Sequence, residues 1–163
     1  NLNIAIIYHS ESGNTEQVAE IIKKGTENVK GIEAKTMHID KVDVDFINSS
    51  KAVIFGTPTY TGDLSHQMKN WFGNYPSDID FAGKLGAVFA TQRYVGGGAD
   101  VALKTMIGHL LVKGMLVYSV GASEGKPYTH FGAVCIQSGN EDQQERAKIY
   151  GKRIAKKAVE LFS

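Results

Sequence analysis

One short segment near the amino end combines the residue types that bind a phosphate group: Ser10-Glu11-Ser12-Gly13-Asn14-Thr15. It follows an apolar run at residues 4–8 and leads into a helical pattern that begins near Thr15. The start of a helix offers unpaired backbone N–H groups and the positive end of the helix dipole, so it attracts anions. Because the segment contains no lysine or arginine, it would bind phosphate through hydrogen bonds alone. This favours a permanently held phosphate monoester over a triphosphate with its metal, and we predict no metal ion.

The same segment also has a purely structural interpretation. It lacks the G-x-x-x-x-G-K-[ST] pattern of a P-loop and the G-x-G-x-x-G pattern of a dinucleotide fold. Serine-rich segments of this kind also cap helices without binding any ligand. The rest of the chain must therefore decide between a helix cap and a phosphate site.

The elements that position this segment alternate between apolar strands and helical patterns, as in a parallel sheet wrapped by helices. Strands are predicted at residues 4–8, 34–39, 51–56, 85–90 and 115–120, with a further short strand at 132–137. Helices are predicted from about Thr15 to a break at Gly25 and Gly31, and over 65–72, 99–112 and 141–161. We expect a single doubly wound α/β domain over residues 1–163.

In such folds a ligand binds beyond the carboxyl ends of the strands, where the strand order reverses. Two further strand ends run into suitable loops, at residues 56–63 and 91–98. Each loop joins an aromatic ring, Tyr60 or Tyr94, to exposed backbone, and a planar heterocycle needs both for stacking and for hydrogen bonds to its polar edge. Three such loops at neighbouring strand ends favour the phosphate site.

Composition excludes several classes of protein. The net charge of the 163-residue chain is only +1, which does not indicate a nucleic-acid-binding protein. No apolar stretch approaches the roughly 18 residues of a membrane span, and the first strand begins too early for a signal peptide to precede it. The single cysteine, Cys135, lies in an apolar run and is predicted to be a buried thiol. We therefore predict a cytoplasmic protein.

Taken together, the loops resemble those of flavodoxin-fold proteins that bind flavin mononucleotide (FMN), whose phosphate motif is T/S-x-T/S-G-x-T. The chain is most similar to the WrbA-type NAD(P)H:quinone oxidoreductases. Residues 56–68 resemble their G-T-P-T-x-x-G-x-x-S-x-Q-M block, residues 83–89 and 96–98 their G-K-x-x-x-x-F and G-G-G motifs, and residues 126–133 parts of their T-P-Y-G-A segment. The resemblance implies a flavodoxin-like five-stranded parallel sheet of order 2-1-3-4-5, with helices on both faces.

The resemblance also implies a set of site residues. The first loop would hold the phosphate, the second would line the isoalloxazine ring, and the third would meet its pyrimidine edge and the ribityl chain. The candidate cofactor-binding residues are Ser10, Glu11, Ser12, Gly13, Asn14, Thr15, Pro58, Thr59, Tyr60, Thr61, Gly62, Thr91, Gln92, Arg93, Tyr94, Gly96 and Gly97. His130 is the candidate catalytic residue, as a proton donor or substrate contact beside the flavin.

The chain departs from the WrbA-type pattern in ways that leave its function open. It lacks the tryptophan-bearing insertion before the G-K block, and Thr129-His130-Phe131 interrupts the P-Y-G-A pattern. In the longer enzymes these parts help to form the nicotinamide and quinone pocket and the tetramer contacts. The resemblance therefore implies a homotetramer, and the shortened loops leave a homodimer or a monomer equally open. We predict an FMN-dependent oxidoreductase that passes electrons from NAD(P)H to a quinone-like acceptor.

Two alternatives belong to other functional classes. The first is a flavodoxin-type electron carrier that works with a redox protein partner. The net charge of +1 argues against it, because shuttle flavodoxins are typically acidic, whereas a sandwich of Tyr60 and Tyr94 around the ring argues for it. The second is a regulatory protein that binds the flavin without turnover.

Overall fold

A computed structural model describes residues 1–163 as seven strands and five helices. None of the helices combines the length and the apolar character needed to cross a membrane. In chain order the elements are β1 (Leu2–Tyr8), α1 (Asn14–Glu27), β2 (Ile32–His38), α2 (Val44–Ser49), β3 (Ser50–Tyr60), β4 (Asp63–Leu64), α3 (His66–Asn74), β5 (Leu85–Gln92), α4 (Ala99–Val112), β6 (Leu116–Val117), β7 (Ala133–Ile136) and α5 (Glu141–Phe162).

The sheet confirms the predicted parallel order. Its strands run β2-β1-β3-β5, and both β6 and β7 pair with β5 on the far side. β6 lies opposite Leu85 and Gly86, whereas β7 lies opposite the carboxyl end of β5, from Phe89 to Gln92. β6 and β7 are therefore two pieces of one fifth strand, and the order 2-1-3-4-5 holds.

The predicted fifth strand at residues 115–120 is wrong in extent. Only Leu116–Val117 is paired, and Tyr118 donates a last hydrogen bond to the carbonyl of Gly86 at 2.9 Å. The chain then leaves the sheet until β7, with Val120 buried and in a left-handed conformation (φ 68°). Valine has a high β propensity, but at Val120 tertiary packing overrides it.

The predicted strand at residues 51–56 is too short. β3 continues to Tyr60 and turns back through Thr61 and Gly62 into the antiparallel β4. Pro58 is tolerated in this extension because β1 ends opposite Gly56, which leaves Pro58 paired with β5 alone. The second candidate loop is therefore the tip of a hairpin.

The short helix α2 was not predicted. Its start is capped by Asp43, whose carboxylate accepts a hydrogen bond from the backbone N–H of Phe46 at 3.0 Å. A helix of six residues is too short to show a helical period in the sequence, so only its cap could have indicated it.

Two hydrophobic clusters, one on each face, cover the sheet. Side chains alternate along β1, so that Ala5 and Ile7 face the cluster under α2, α3 and α4, while Ile4 and Ile6 face the cluster under α1 and α5. This arrangement confirms the prediction of helices on both faces. It also holds the carboxyl ends of β1, β3 and β5 rigidly at one edge of the molecule.

Helix α1 continues past Gly25 and ends at Glu27, between the two glycines that the sequence predicted at its end. Gly25 is buried where α5 crosses, and a Cβ atom on it would lie 1.9 Å from the carbonyl oxygen of Lys148. The glycine therefore permits close contact between two helices, which a sequence pattern cannot distinguish from a helix end.

Candidate functional site

The loop between β1 and α1 presents a set of free backbone N–H groups. The hydroxyl of Ser10 accepts hydrogen bonds from the backbone N–H groups of Gly13 (3.2 Å) and Glu16 (3.3 Å), and so shapes the loop. Gly13 is in the left-handed region (φ 97°) at the N-cap position and supplies no side-chain cap. Four N–H groups in the loop and the first turn of α1 make no hydrogen bond to the rest of the chain; they belong to Glu11, Ser12, Asn14 and Thr15. These groups can receive an anion.

Thr15 connects this loop to the end of β5. Its buried hydroxyl lies 2.8 Å from the hydroxyl of Thr91, and each oxygen can act as donor or acceptor. The hydroxyl of Ser12 accepts only from the side chain of Asn14 (3.4 Å), so its own proton is free for a ligand. The loop therefore adds hydroxyl donors to its backbone donors.

The other two loops lie against the first and against each other. The hydroxyl of Thr59 donates to the carbonyl of Thr91 at 2.8 Å, which joins the ends of β3 and β5. A Cβ atom on Gly98 would lie 2.6 Å from the Cα atom of Gly62, so the two loop backbones are in direct contact. Together the three strand ends enclose one cavity, lined by Ser10, Glu11, Ser12, Asn14, Thr15, Pro58, Thr59, Tyr60, Thr91, Gln92, Arg93 and Gln137.

Most of the candidate cofactor residues from the sequence line this cavity, and the rest lie at its border. Thr61 lines an adjoining groove between α3 and α4, and Gly62 and Gly13 lie in the turns between lining residues. Tyr94 is 65% exposed, and its carbonyl accepts a hydrogen bond from the N–H of Gly97 (3.2 Å). The turn at Tyr94, Gly96 and Gly97 therefore forms a rim rather than a wall.

His130 is not brought to this cavity. It lies in the segment between β6 and β7 and lines a separate depression together with Asp100, Tyr128 and Arg146. Its ring is parallel to that of Tyr128, with the ring centroids 6.1 Å apart. The chain leaves the sheet before His130 and returns after it, and this excursion carries the histidine away from the three strand ends.

Sequence reasoning missed two contributors to this region. Gln137 follows β7 with φ 54°, and its N–H donates to the carbonyl of Gln92 at 2.6 Å. Its position just past a strand on the binding edge could have indicated it. His9, directly after β1, is 2% exposed and contacts Glu11 and Ser65, and no motif identified it.

The electrostatics of the cavity centre on Tyr60. Burial raises the pKa of its hydroxyl, the Glu11 carboxylate raises this pKa further, and Arg93 opposes the rise. The Tyr60 hydroxyl therefore lies near one charge of each sign. It stays protonated at neutral pH because both burial and Glu11 disfavour its anion.

Comparison with known proteins identifies the family. The flavodoxin family model matches residues 6–149. A flavodoxin of Clostridium saccharobutylicum is 47% identical over 99% of this chain and 100% of its own, whereas an NAD(P)H dehydrogenase (quinone) of Acidithiobacillus ferrooxidans is 26% identical over 98% of each. The crystal structure of a flavodoxin, WrbA-like protein from Agrobacterium tumefaciens has a TM-score of 0.81 at 25% identity, covering 98% of this chain and 99% of its own. The chain belongs to the flavodoxin family.

Proposed function

We propose that this protein binds FMN and carries electrons between other redox proteins. The observation that carries the proposal is the set of free N–H groups in the loop before α1, next to a cavity that three strand ends enclose. A phosphate monoester fits the donors, because the loop supplies backbone and hydroxyl hydrogens and no metal ligand set is needed. FMN, when bound, supplies electron transfer through its isoalloxazine ring.

Each part of the cavity then has a role in binding. Ser12, Thr15 and the free N–H groups would hold the phosphate, and the buried contact between Thr15 and Thr91 fixes the distance from that group to the end of β5. Tyr60 would cover one side of the ring, and Tyr94, which is largely exposed, can adjust to the other. Because Tyr60 is held by the hairpin β3–β4, this wall is pre-formed.

The net charge of +1 does not describe the surface that a partner would meet at the cavity. At the binding edge, Glu11, Asp63 and the carboxylates at the starts of α4 and α5 lie beside Arg93 and Lys104, whereas the opposite edge carries both lysines and carboxylates. Carboxylates around the cavity can contact a basic surface of a redox partner.

Direct reduction of a quinone by NAD(P)H is a second candidate, supported by the G-T-P-T block and by relatives named NAD(P)H dehydrogenase (quinone). The alignment with the Acidithiobacillus enzyme spans 196 positions, although this chain has 163 residues. The enzyme therefore carries insertions that are missing here. The 47% identity to a flavodoxin favours the carrier.

Anaerobic reduction of the FMN-loaded protein separates the two functions. For a carrier we expect NADH and NADPH alone to reduce the flavin slowly, and addition of a flavodoxin reductase to accelerate the bleaching of its absorption band. A potentiometric titration should resolve two separate one-electron potentials. Rapid bleaching by either nicotinamide, with turnover on a soluble quinone, would instead establish the oxidoreductase.

A further inference from the structure

The loop that offers free N–H groups to an anion also contains a carboxylate, Glu11. Its side chain is held to one side: the Oε1 atom accepts hydrogen bonds from Nε2 of His9 (3.0 Å) and Nε2 of Gln67 (3.1 Å). Both donors lie outside the loop, one directly before it and the other in α3. The carboxylate is therefore directed toward α3 by two contacts.

His9 is itself fixed from behind. It is 2% exposed, and its Nδ1 lies 2.8 Å from the hydroxyl of Ser65, the residue that caps α3 by accepting from the N–H of Met68 (3.1 Å). A carboxylate can only accept, so the hydrogen-bond network assigns a proton to Nε2 of His9 and leaves Nδ1 to accept from Ser65. The start of α3 thus sets the orientation of the ring.

We propose that His9 is a positioning residue that keeps the Glu11 carboxylate away from the anion-binding N–H groups, so that the loop selects a phosphate monoester. The inference rests on the proposed FMN site and adds the device that maintains its selectivity. Glu11 directly precedes Ser12, whose N–H group makes no hydrogen bond within the chain. Without His9 the Glu11 carboxylate would be free to turn toward that group. It would compete for these donors as an internal anion and would repel a phosphate dianion.

The test compares FMN with riboflavin, which has the same ring and ribityl chain but no phosphate. In His9→Asn the side chain can still accept from Ser65, but it is too short to reach Glu11. We expect the Kd for FMN to rise about tenfold, as for a lost hydrogen bond to a charged group, and the Kd for riboflavin to stay within about twofold. In His9→Gln, whose amide reaches as far as Nε2, FMN affinity should be largely restored.

Removing the carboxylate should abolish the effect of His9. In the Glu11→Gln background, His9→Asn should change the Kd for FMN by less than about twofold, because no competing anion remains. His66→Gln, an exposed histidine at the start of α3, is the matched control and should change neither ligand. Flavin fluorescence titration of the apoprotein measures all these affinities.

The outcomes separate the inference from the function on which it rests. If the wild-type protein binds FMN no more tightly than riboflavin, the proposed phosphate site is wrong whatever the variants do. If it prefers FMN and His9→Asn either leaves that preference intact or weakens both ligands equally, the positioning role is wrong. Should His9→Asn fail to fold, Gln67→Leu at a half-buried position removes the second contact and should weaken FMN alone.

Discussion

Helices α1 and α5 lie side by side on one face of the sheet and begin at the same edge, yet they begin in opposite ways. Helix α5 starts at Asn140, whose side chain accepts a hydrogen bond from the N–H of Gln143 at 2.9 Å. Its first two residues, Glu141 and Asp142, are exposed carboxylates. Helix α1 starts after the left-handed Gly13 with no side-chain cap from that residue, and its first two residues, Asn14 and Thr15, are neutral.

The difference shows what turns a helix start into a binding site. The first turn of α5 already contains its own anions and cap, so its dipole is compensated within the chain. The first turn of α1 has one carboxylate, Glu16 at its third position, whose N–H donates to Ser10, but its first two residues are neutral and their N–H groups are free. The preceding loop adds two more free N–H groups, at Glu11 and Ser12. A ligand anion can bind where the chain itself supplies too few acceptors and carboxylates for the N–H groups at a helix start. Substitutions at the start of either helix test this comparison.

The largest expected effect is on FMN binding at the start of α1. The double substitution Ser12→Ala and Thr15→Ala removes two hydroxyl donors from the loop, at roughly 1 kcal/mol or more for each hydrogen bond to a charged phosphate. We expect FMN binding to weaken by about 2–3 kcal/mol, measured by fluorescence titration. Riboflavin is the control and should be unaffected. An unchanged FMN affinity would mean that the phosphate binds elsewhere.

The matching change on α5 should alter stability instead. Asn140→Ala removes the side-chain cap and should lower the free energy of unfolding by about 1 kcal/mol, measured by urea denaturation of the apoprotein. FMN affinity should not change, because Asn140 does not line the cavity. A loss of FMN affinity as large as that of the loop variant would erase the distinction between the two helix starts.

The sequence predicted the loop at α1 but not everything around it, and the reasons are physical. Alternating strands and helices determine the sheet order, so the three loops at the ends of β1, β3 and β5 could be placed together from the pattern alone. His130 was expected beside the flavin through the resemblance of residues 126–133 to the T-P-Y-G-A segment, whereas the segment between β6 and β7 carries it to a separate depression with Asp100 and Arg146. His9 was missed because its partners, Glu11 and Ser65, meet only in the folded chain.

A smaller effect should follow from neutralising the first turn of α5. Glu141→Gln together with Asp142→Asn removes the charges that complement the dipole, and each is worth about 0.3–1 kcal/mol at low ionic strength. We expect a lower free energy of unfolding in dilute buffer and a difference that largely disappears at about 1 M salt, where charges are screened within about 3 Å. A loss that persists at high salt would show that these side chains stabilise α5 by packing instead.

The last prediction, with the smallest expected change, concerns Cys135, the thiol beside the start of α5. We expect it to be unreactive in the native protein. Its Sγ atom lies 3.7 Å from the carbonyl of Gln143, and burial raises its pKa to about 11. Arg146 opposes this rise, and burial outweighs it. The start of α5, with its own cap and carboxylates, therefore does not activate the thiol as an uncompensated helix start can. We expect iodoacetamide at about pH 8 to leave the native protein unlabelled by mass spectrometry and to label it in urea, because the thiol is buried and its thiolate scarce until unfolding. Rapid labelling of the native protein would contradict both the burial of Cys135 and its raised pKa.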